Sequence, residues 1–235
     1  DWKNEIVRKL TAGLFHLSKQ RKVSFLQGHA EFLDAQTVRV TSGDVSRDKE
    51  TIGFTNAIVA TGSRPAMPEA FRLDDPRVLD STDALELEKI PASLLVVGGG
   101  YIGLELGTVY AALGTKVTVV ELSKSLLPGA DADLVRVLAR RIDQMVDRVC
   151  LETAATELVP QSDGLDAVLE GSDGDVRTQR FDQVLVAVGR VPNSFVPGLE
   201  HTLVARDSRD FIVVDPHCRT AEPSIFAIGD VVGEP

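Results

Sequence analysis

The sequence predicts an α/β fold, with helices covering a parallel sheet and a β-hairpin or meander attached. Three observations predict it. Ser93-Leu94-Leu95-Val96-Val97, Lys116-Val117-Thr118-Val119-Val120 and Val184-Leu185-Val186-Ala187-Val188 are nearly continuous apolar runs, as expected of strands buried on both faces of a parallel sheet. A glycine cluster and a helical stretch separate the first two. Strand–helix–strand alternation with such strands makes a layered domain. The 235 residues suffice for one large domain or two small ones.

Taken in order, Ile6, Leu10, Leu14 and Leu17 fall at helical spacing within residues 2–18. Lys19, Arg21 and Lys22 follow, where positive charge complements the C-terminal end of a helix dipole. Val23–Leu26, Thr37–Val40 and Ala57–Ala60 read as short β runs, with a turn at Ser42-Gly43-Asp44. A connector carrying Pro65, Pro68 and Pro76 reads as a linker. The second unit opens with the strand at 93–97. A helix from the glycines to about Leu113 is closed by Gly114, and the strand at 116–120 comes next. Asp131 is positioned to cap a further helix, with Leu134, Leu138, Ile142 and Met145 on one face. A hairpin turns at Ser172-Asp173-Gly174 before the last buried strand.

Composition narrows the function. Hydrophobic residues make up 43% and charged residues 26% of the chain, which is ordinary globular usage. No apolar run approaches the ~18 residues of a membrane-spanning helix, so no membrane span is expected. A net charge of -10 argues against a nucleic-acid partner. Cys150 and Cys218 are too few and too far apart for a disulfide framework, which favours a reducing compartment. His16, His29, His201 and His217 show no metal-ligand spacing, so no metal site is expected. The chain opens on Asp1 with neither signal nor transit peptide, and Val231–Pro235 reads as a loop after a strand. Both ends suggest a piece of something longer, with the cytoplasm the expected location.

Gly98-Gly99-Gly100-Tyr101-Ile102-Gly103 fits G-x-G-x-x-G. The pattern alone is weak, but here it follows a buried strand, opens a helix and precedes a strand ending in Glu121. Gly98 allows the tight turn, Gly100 lets a pyrophosphate approach the backbone, and Gly103 lets helix and strand pack closely. N–H groups at the helix start would face the phosphates. A carboxylate at Glu121 accepts hydrogen bonds from ribose hydroxyls and repels a 2′-phosphate, so a Rossmann-like domain binding NAD rather than NADP is expected. On that view Glu121→Arg weakens NAD and improves NADP binding. A solvated surface glutamate is the plainer alternative, and Glu105 reads simply as a helix-dipole partner.

Further segments carry a resemblance. Ala57-Ile58-Val59-Ala60-Thr61-Gly62-Ser63-Arg64-Pro65, Val186-Ala187-Val188-Gly189-Arg190-Val191-Pro192-Asn193 and Ile225-Phe226-Ala227-Ile228-Gly229-Asp230 stand in order with the glycine turn. Together they resemble the pyridine nucleotide-disulfide oxidoreductase family, over essentially the whole chain. Asp80–Leu85 and Leu106–Tyr110 are more similar to the dihydrolipoyl dehydrogenase branch than to glutathione reductase. Mercuric reductase and soluble transhydrogenase are same-fold alternatives, and a stand-alone NAD-binding module is the alternative from another class.

The resemblance implies roles. Gly98, Gly99, Gly100, Tyr101, Ile102, Gly103, Glu105, Glu121, Ala155, Ala187, Val188, Gly189 and Arg190 would border NAD. Tyr101 would cover the flavin until nicotinamide displaces it, and Glu105 would pair with a lysine outside this chain. Ala30, Thr61, Gly62, Ser63, Gly229 and Asp230 would border FAD, with Asp230 accepting from the ribityl chain. Read without the resemblance, Asp230 could be a helix cap, Thr61-Gly62 a turn and Tyr101 packing. The family's first FAD-binding glycine turn, its C-x4-C redox pair, its C-terminal His–Glu pair and its dimer interface have no counterpart here. No catalytic residue is therefore expected in this chain, which should be inactive alone. The expected layout is a partial FAD-domain segment (1–78), the NAD domain (79–193) and a return segment (194–235). The full-length protein is expected to be a homodimer serving lipoyl domains of 2-oxo acid dehydrogenase complexes.

Overall fold

Residues 2–41 and 49–233 are described by the computed structural model. The chain starts with α1 (Trp2–Gln20), a helix of expected extent in which no residue is buried; Leu10 and Leu14 are both exposed. Three antiparallel strands follow, β1 (His29–Asp34), β2 (Thr37–Thr41) and β3 (Lys49–Gly53), then β4 (Ala57–Val59). Val23–Leu26 is not a strand: it has no ladder partner among the described residues, and Val23 and Phe25 are exposed. The expected turn at Ser42-Gly43-Asp44 lies outside the described residues.

β5 (Ser63–Pro65) and β6 (Val78–Leu79) bracket the proline connector, which is not a loose linker. Phe71, in a short 3-10 turn, is buried, and Met67 and Leu73 pack on the same apolar cluster. α2 (Ser81–Glu86) starts at a capping box: Asp80 accepts from the Thr82 and Asp83 N–H groups, and Asp83 accepts from the Asp80 N–H. β7 (Ser93–Val97), α3 (Tyr101–Ala112) and β8 (Lys116–Val120) form the expected strand–helix–strand unit, with Gly114 at positive φ just past the helix.

α4 (Ala132–Ile142) differs from expectation in two ways. Asp131 makes no side-chain cap bond; Asp133 supplies the first-turn negative charge instead. Met145 lies beyond the helix end, and the buried face runs through Val135 and Ile142 while Leu134 is exposed.

β9 (Arg148–Cys150) ends the parallel sheet. β10 (Thr153–Gln161), β11 (Gly164–Gly171) and β12 (Val176–Phe181) make an antiparallel meander whose second turn is the expected one, with the Gly174 N–H on the Gly171 carbonyl. β13 (Gln183–Val186) stops two residues short of the expected strand, since Val188 is exposed and Gly189 turns at φ 139°. The sheet order β6-β13-β7-β8-β9 is parallel throughout.

Side-chain alternation along the strands explains the core. Leu94 and Val96 on β7, with Val117 and Val119 on β8, join Leu104, Tyr110, Val135 and Ile142 in one cluster on the helix face. Leu95, Val97, Val120, Val184 and Val186 join Leu158, Leu165, Leu169 and Phe181 on the meander face. Both faces are therefore covered, as the continuous apolar runs require.

β14 (Arg190–Pro192) pairs with β5, and β15 (Ile225–Ala227) pairs in parallel with β4. Contacts divide the chain into two compact units, Asp1–Gly62 with Pro192–Pro235, and Ser63–Val191. Phe32, Val59, Leu199, Ile212, Ile225, Ala227 and Val231 form the core of the first. Among the described residues no helix is long and apolar enough to cross a membrane.

Candidate functional site

The turn between β7 and α3 is built by steric exclusion. Gly98 sits at φ 110°, closed to most side chains, and a Cβ there would run into the Ala187 carbonyl. A Cβ at Gly103 would collide with the Gly98 carbonyl and lie 3.1 Å from a Val96 methyl, so glycine lets the helix sit against the strand. Gly100 is different: a Cβ there would meet no atom within 4 Å. The turn is crowded from behind at 98, 99 and 103 and open in front at 100. Gly100 is the N-cap of α3 and has no side chain, so no cap satisfies the first-turn N–H groups.

Glu121 closes the site. Its N–H continues the β8–β9 ladder to the Cys150 carbonyl, and its side chain returns to the glycines. The Gly99 N–H donates to Oε2 and the Ser123 N–H to Oε1, each at 2.7 Å. The residue is 8% exposed, which excludes the solvated surface glutamate. Each carboxylate oxygen keeps a further lone-pair site for a ligand hydroxyl. Because the Gly99 N–H is engaged by Glu121, Gly99 borders the turn without offering a phosphate donor.

The other expected residues fall into three groups. Tyr101 and Glu105 are exposed one turn apart on α3, while Ile102 is half-buried. Ala187 follows β13 and donates to the Val97 carbonyl (2.8 Å), next to the glycine turn. Val188 is exposed, and the Gly189 carbonyl accepts from the Ala66 N–H (3.0 Å). The Arg190 guanidinium holds the Ser63 hydroxyl (2.6 Å) and carbonyl (2.9 Å). Ala155 lies on β10, partly buried beside a bulge and packed on the meander-face cluster.

In the unit of residues 1–62 and 192–235, Thr61 and Gly62 are fastened to Asn193. The Thr61 hydroxyl donates to the Asn193 carbonyl (2.8 Å), the Asn193 amide to the Thr61 carbonyl (3.0 Å) and the Asn193 N–H to the Gly62 carbonyl (2.9 Å). Gly229 and Asp230 open a short 3-10 turn after β15, the strand paired with β4, and Ala30 is exposed on β1. Asn193 and Leu126 are the positions that sequence reasoning missed. Asn193 reaches Thr61 across 132 residues, a separation no local pattern encodes. Leu126 is 3% exposed and lies against Gly99; an apolar residue in a Ser/Lys-rich loop was the available signal. Among the described residues no group of His, Cys, Asp or Glu could hold a metal ion.

The chain matches the pyridine nucleotide-disulphide oxidoreductase family over residues 3–235. It is 44% identical over 234 residues to dihydrolipoyl dehydrogenase of Vibrio cholerae, covering 100% of this chain and 48% of that protein. The dihydrolipoyl dehydrogenase of Geobacillus stearothermophilus is 43% identical over 235 residues, covering 100% and 49% respectively. Among solved structures, the Cu(II) complex of the HOCl-induced flavoprotein disulfide reductase RclA from Escherichia coli matches with a TM-score of 0.87 at 27% identity, covering 99% of this chain and 51% of that one. The chain spans about half the length of the curated relatives it matches.

Proposed function

This chain belongs to the pyridine nucleotide-disulphide oxidoreductase family, and from that premise we propose that it is the NAD-binding portion of a dihydrolipoyl dehydrogenase. The full-length protein would reoxidise dihydrolipoyl groups of 2-oxo acid dehydrogenase complexes with NAD, as a homodimeric cytoplasmic flavoprotein. The observation that carries the reading is the turn itself: open at Gly100, uncapped at the start of α3, and faced by a buried carboxylate from the end of the next strand.

Those residues fit the coenzyme. The backbone from Gly100 to Gly103 would receive the pyrophosphate, where the helix dipole favours negative charge. Glu121 would accept the adenosine ribose hydroxyls and disfavour a 2′-phosphate. Tyr101, Glu105, Ala155, Ala187, Val188, Gly189 and Arg190 would border the remainder. FAD is assigned to Ala30, Thr61, Gly62, Ser63, Gly229 and Asp230. When bound, the pair supplies two-electron transfer between a dithiol and nicotinamide through flavin. This chain's own task is to bind and orient; it carries no Cys pair at C-x4-C spacing, so alone it should not turn over dihydrolipoamide. The proposed layout is a partial FAD-domain segment (1–78), the NAD domain (79–193) and a return segment (194–235), whereas the compact units divide at 62/63 and 191/192.

The dihydrolipoyl reading leads over other disulfide reductases because the named relatives of that class stand at 43–44% identity, against 27% for the RclA structure. Calorimetric titration of the chain with NAD, NADP and FAD tests it. NAD should bind more tightly than NADP, with little FAD retained. Equal affinity for NAD and NADP, or no NAD binding, refutes the assignment of Glu121 and the turn.

A further inference from the structure

We propose that Glu121 is a positioning residue for the glycine turn, in addition to the ribose acceptor assigned above, and that Leu126 shares this task. The proposal rests on the NAD reading. It starts from the Gly99 peptide, which is pinned on both sides by one segment, residues 121–127. The Gly99 N–H donates to Glu121 Oε2 (2.7 Å), and the Gly99 carbonyl accepts from the Leu127 N–H (2.9 Å). The same segment fills the space behind the turn: a Cβ on Gly99 would lie 2.8 Å from Leu126 Cδ2 and 3.0 Å from Glu121 Cβ. Gly98 is held separately, with its N–H on the Val120 carbonyl (2.9 Å). The segment after β8 thus sets where Gly100 and the first turn of α3 present their N–H groups.

The chemistry requires an acceptor-only side chain. Two main-chain N–H groups converge on the two oxygens of Glu121. Glutamine has one acceptor oxygen and an NH2 donor, so one of the two N–H groups would face another donor. In the free protein the turn relieves an unmet donor by shifting away from its nucleotide-binding geometry, so binding must restore that cost and affinity falls. Coenzyme choice and turn geometry are therefore coupled through one residue. Replacing Glu121 with a cation to admit a 2′-phosphate releases the turn at the same time. Glu121→Arg then weakens NADP as well as NAD, in place of the simple exchange of preference that the motif suggests.

The test compares ADP with 2′,3′-dideoxy-ADP, which keeps the diphosphate and lacks the ribose hydroxyls. Affinities are measured by calorimetry on the full chain, wild type, Glu121→Gln and Leu126→Ala, below the melting temperature of each. With a brace, Glu121→Gln weakens dideoxy-ADP by about tenfold, the equivalent of one unmet buried donor. It weakens ADP by more. Leu126→Ala, which keeps the carboxylate, weakens both nucleotides by the same factor. Unchanged dideoxy-ADP affinity in Glu121→Gln overturns the proposal and leaves the ribose role standing. If Glu121→Gln does not fold, Leu126→Ala decides alone: equal weakening supports the brace, and unchanged affinity overturns it. Failure of the wild type to bind either nucleotide overturns the NAD reading and this inference with it.

Discussion

The unit Ser63–Val191 is organised around a continuous five-stranded parallel sheet, with helices on one face and a three-stranded meander on the other. The unit of residues 1–62 and 192–235 has a three-stranded antiparallel sheet, a two-stranded parallel pair and a 19-residue helix that buries nothing. In the first unit, residues far apart in sequence are layered onto the central strands β7, β8 and β13, which have both faces covered. In the second, β4 and β15 form a parallel pair with no third strand among the described residues, and Ile58 of β4, paired with Phe226, is 63% exposed. Parallel strands are ordinarily covered on both faces; the five-stranded sheet meets that rule, whereas β4 and β15 bury Val59, Ile225 and Ala227 in their unit's core and leave Ile58 open. The proposed NAD site lies wholly in the first unit.

Substitutions can break or sharpen this contrast. The largest effect is expected from Leu95→Ala, fully buried between β7 and the meander, at about 2–5 kcal/mol in denaturant unfolding; a value under 1 would deny that the sheet is the core. Gly98→Ala should cost about 3 kcal/mol, because it combines a left-handed φ with a Cβ driven at the Ala187 carbonyl. Its loss should appear in both stability and nucleotide affinity. Tyr110→Phe removes the buried hydroxyl that donates to the Ala84 carbonyl (2.9 Å) and should cost about 1 kcal/mol by the same assay.

A smaller, pH-dependent effect is expected at Asp75. Hydrogen bonds from the Arg77 side chain hold its carboxyl below the ordinary carboxylate range. A lowered folded-state pKa gives stability that is complete above the unfolded value, about 3.9, and lost as pH falls through the folded value. Asp75→Asn should therefore flatten the acid limb of an unfolding titration and leave the neutral-pH slope unchanged. The smallest effect is expected from Leu10→Ala on exposed α1, under about 0.5 kcal/mol for the chain as described. A cost like that of Leu95→Ala would show that α1 is enclosed in solution.

Much of the nucleotide site was legible because its signals are local. Two of the three apolar runs, the spacing of Gly98, Gly100 and Gly103, and the carboxylate following β8 all lie within 29 consecutive residues. The errors came where a local pattern lacked a partner. Val23–Leu26 has strand composition but no ladder, and Asp131 has a cap's position but makes no cap bond. Prolines at 65, 68 and 76 suggested a linker, yet Phe71 between them is driven into the apolar cluster. Burial outweighed composition there.

Residue order alone determined the class of fold and the position of the glycine turn, since strand burial and backbone clearance depend on residue type at fixed spacing. Only tertiary structure decided that Glu121 is buried and already holds Gly99 and Ser123, that Leu126 backs the turn, and that Thr61 is tied to Asn193. These are contacts between segments brought together by packing, and a side chain's type does not reveal which distant backbone group will reach it.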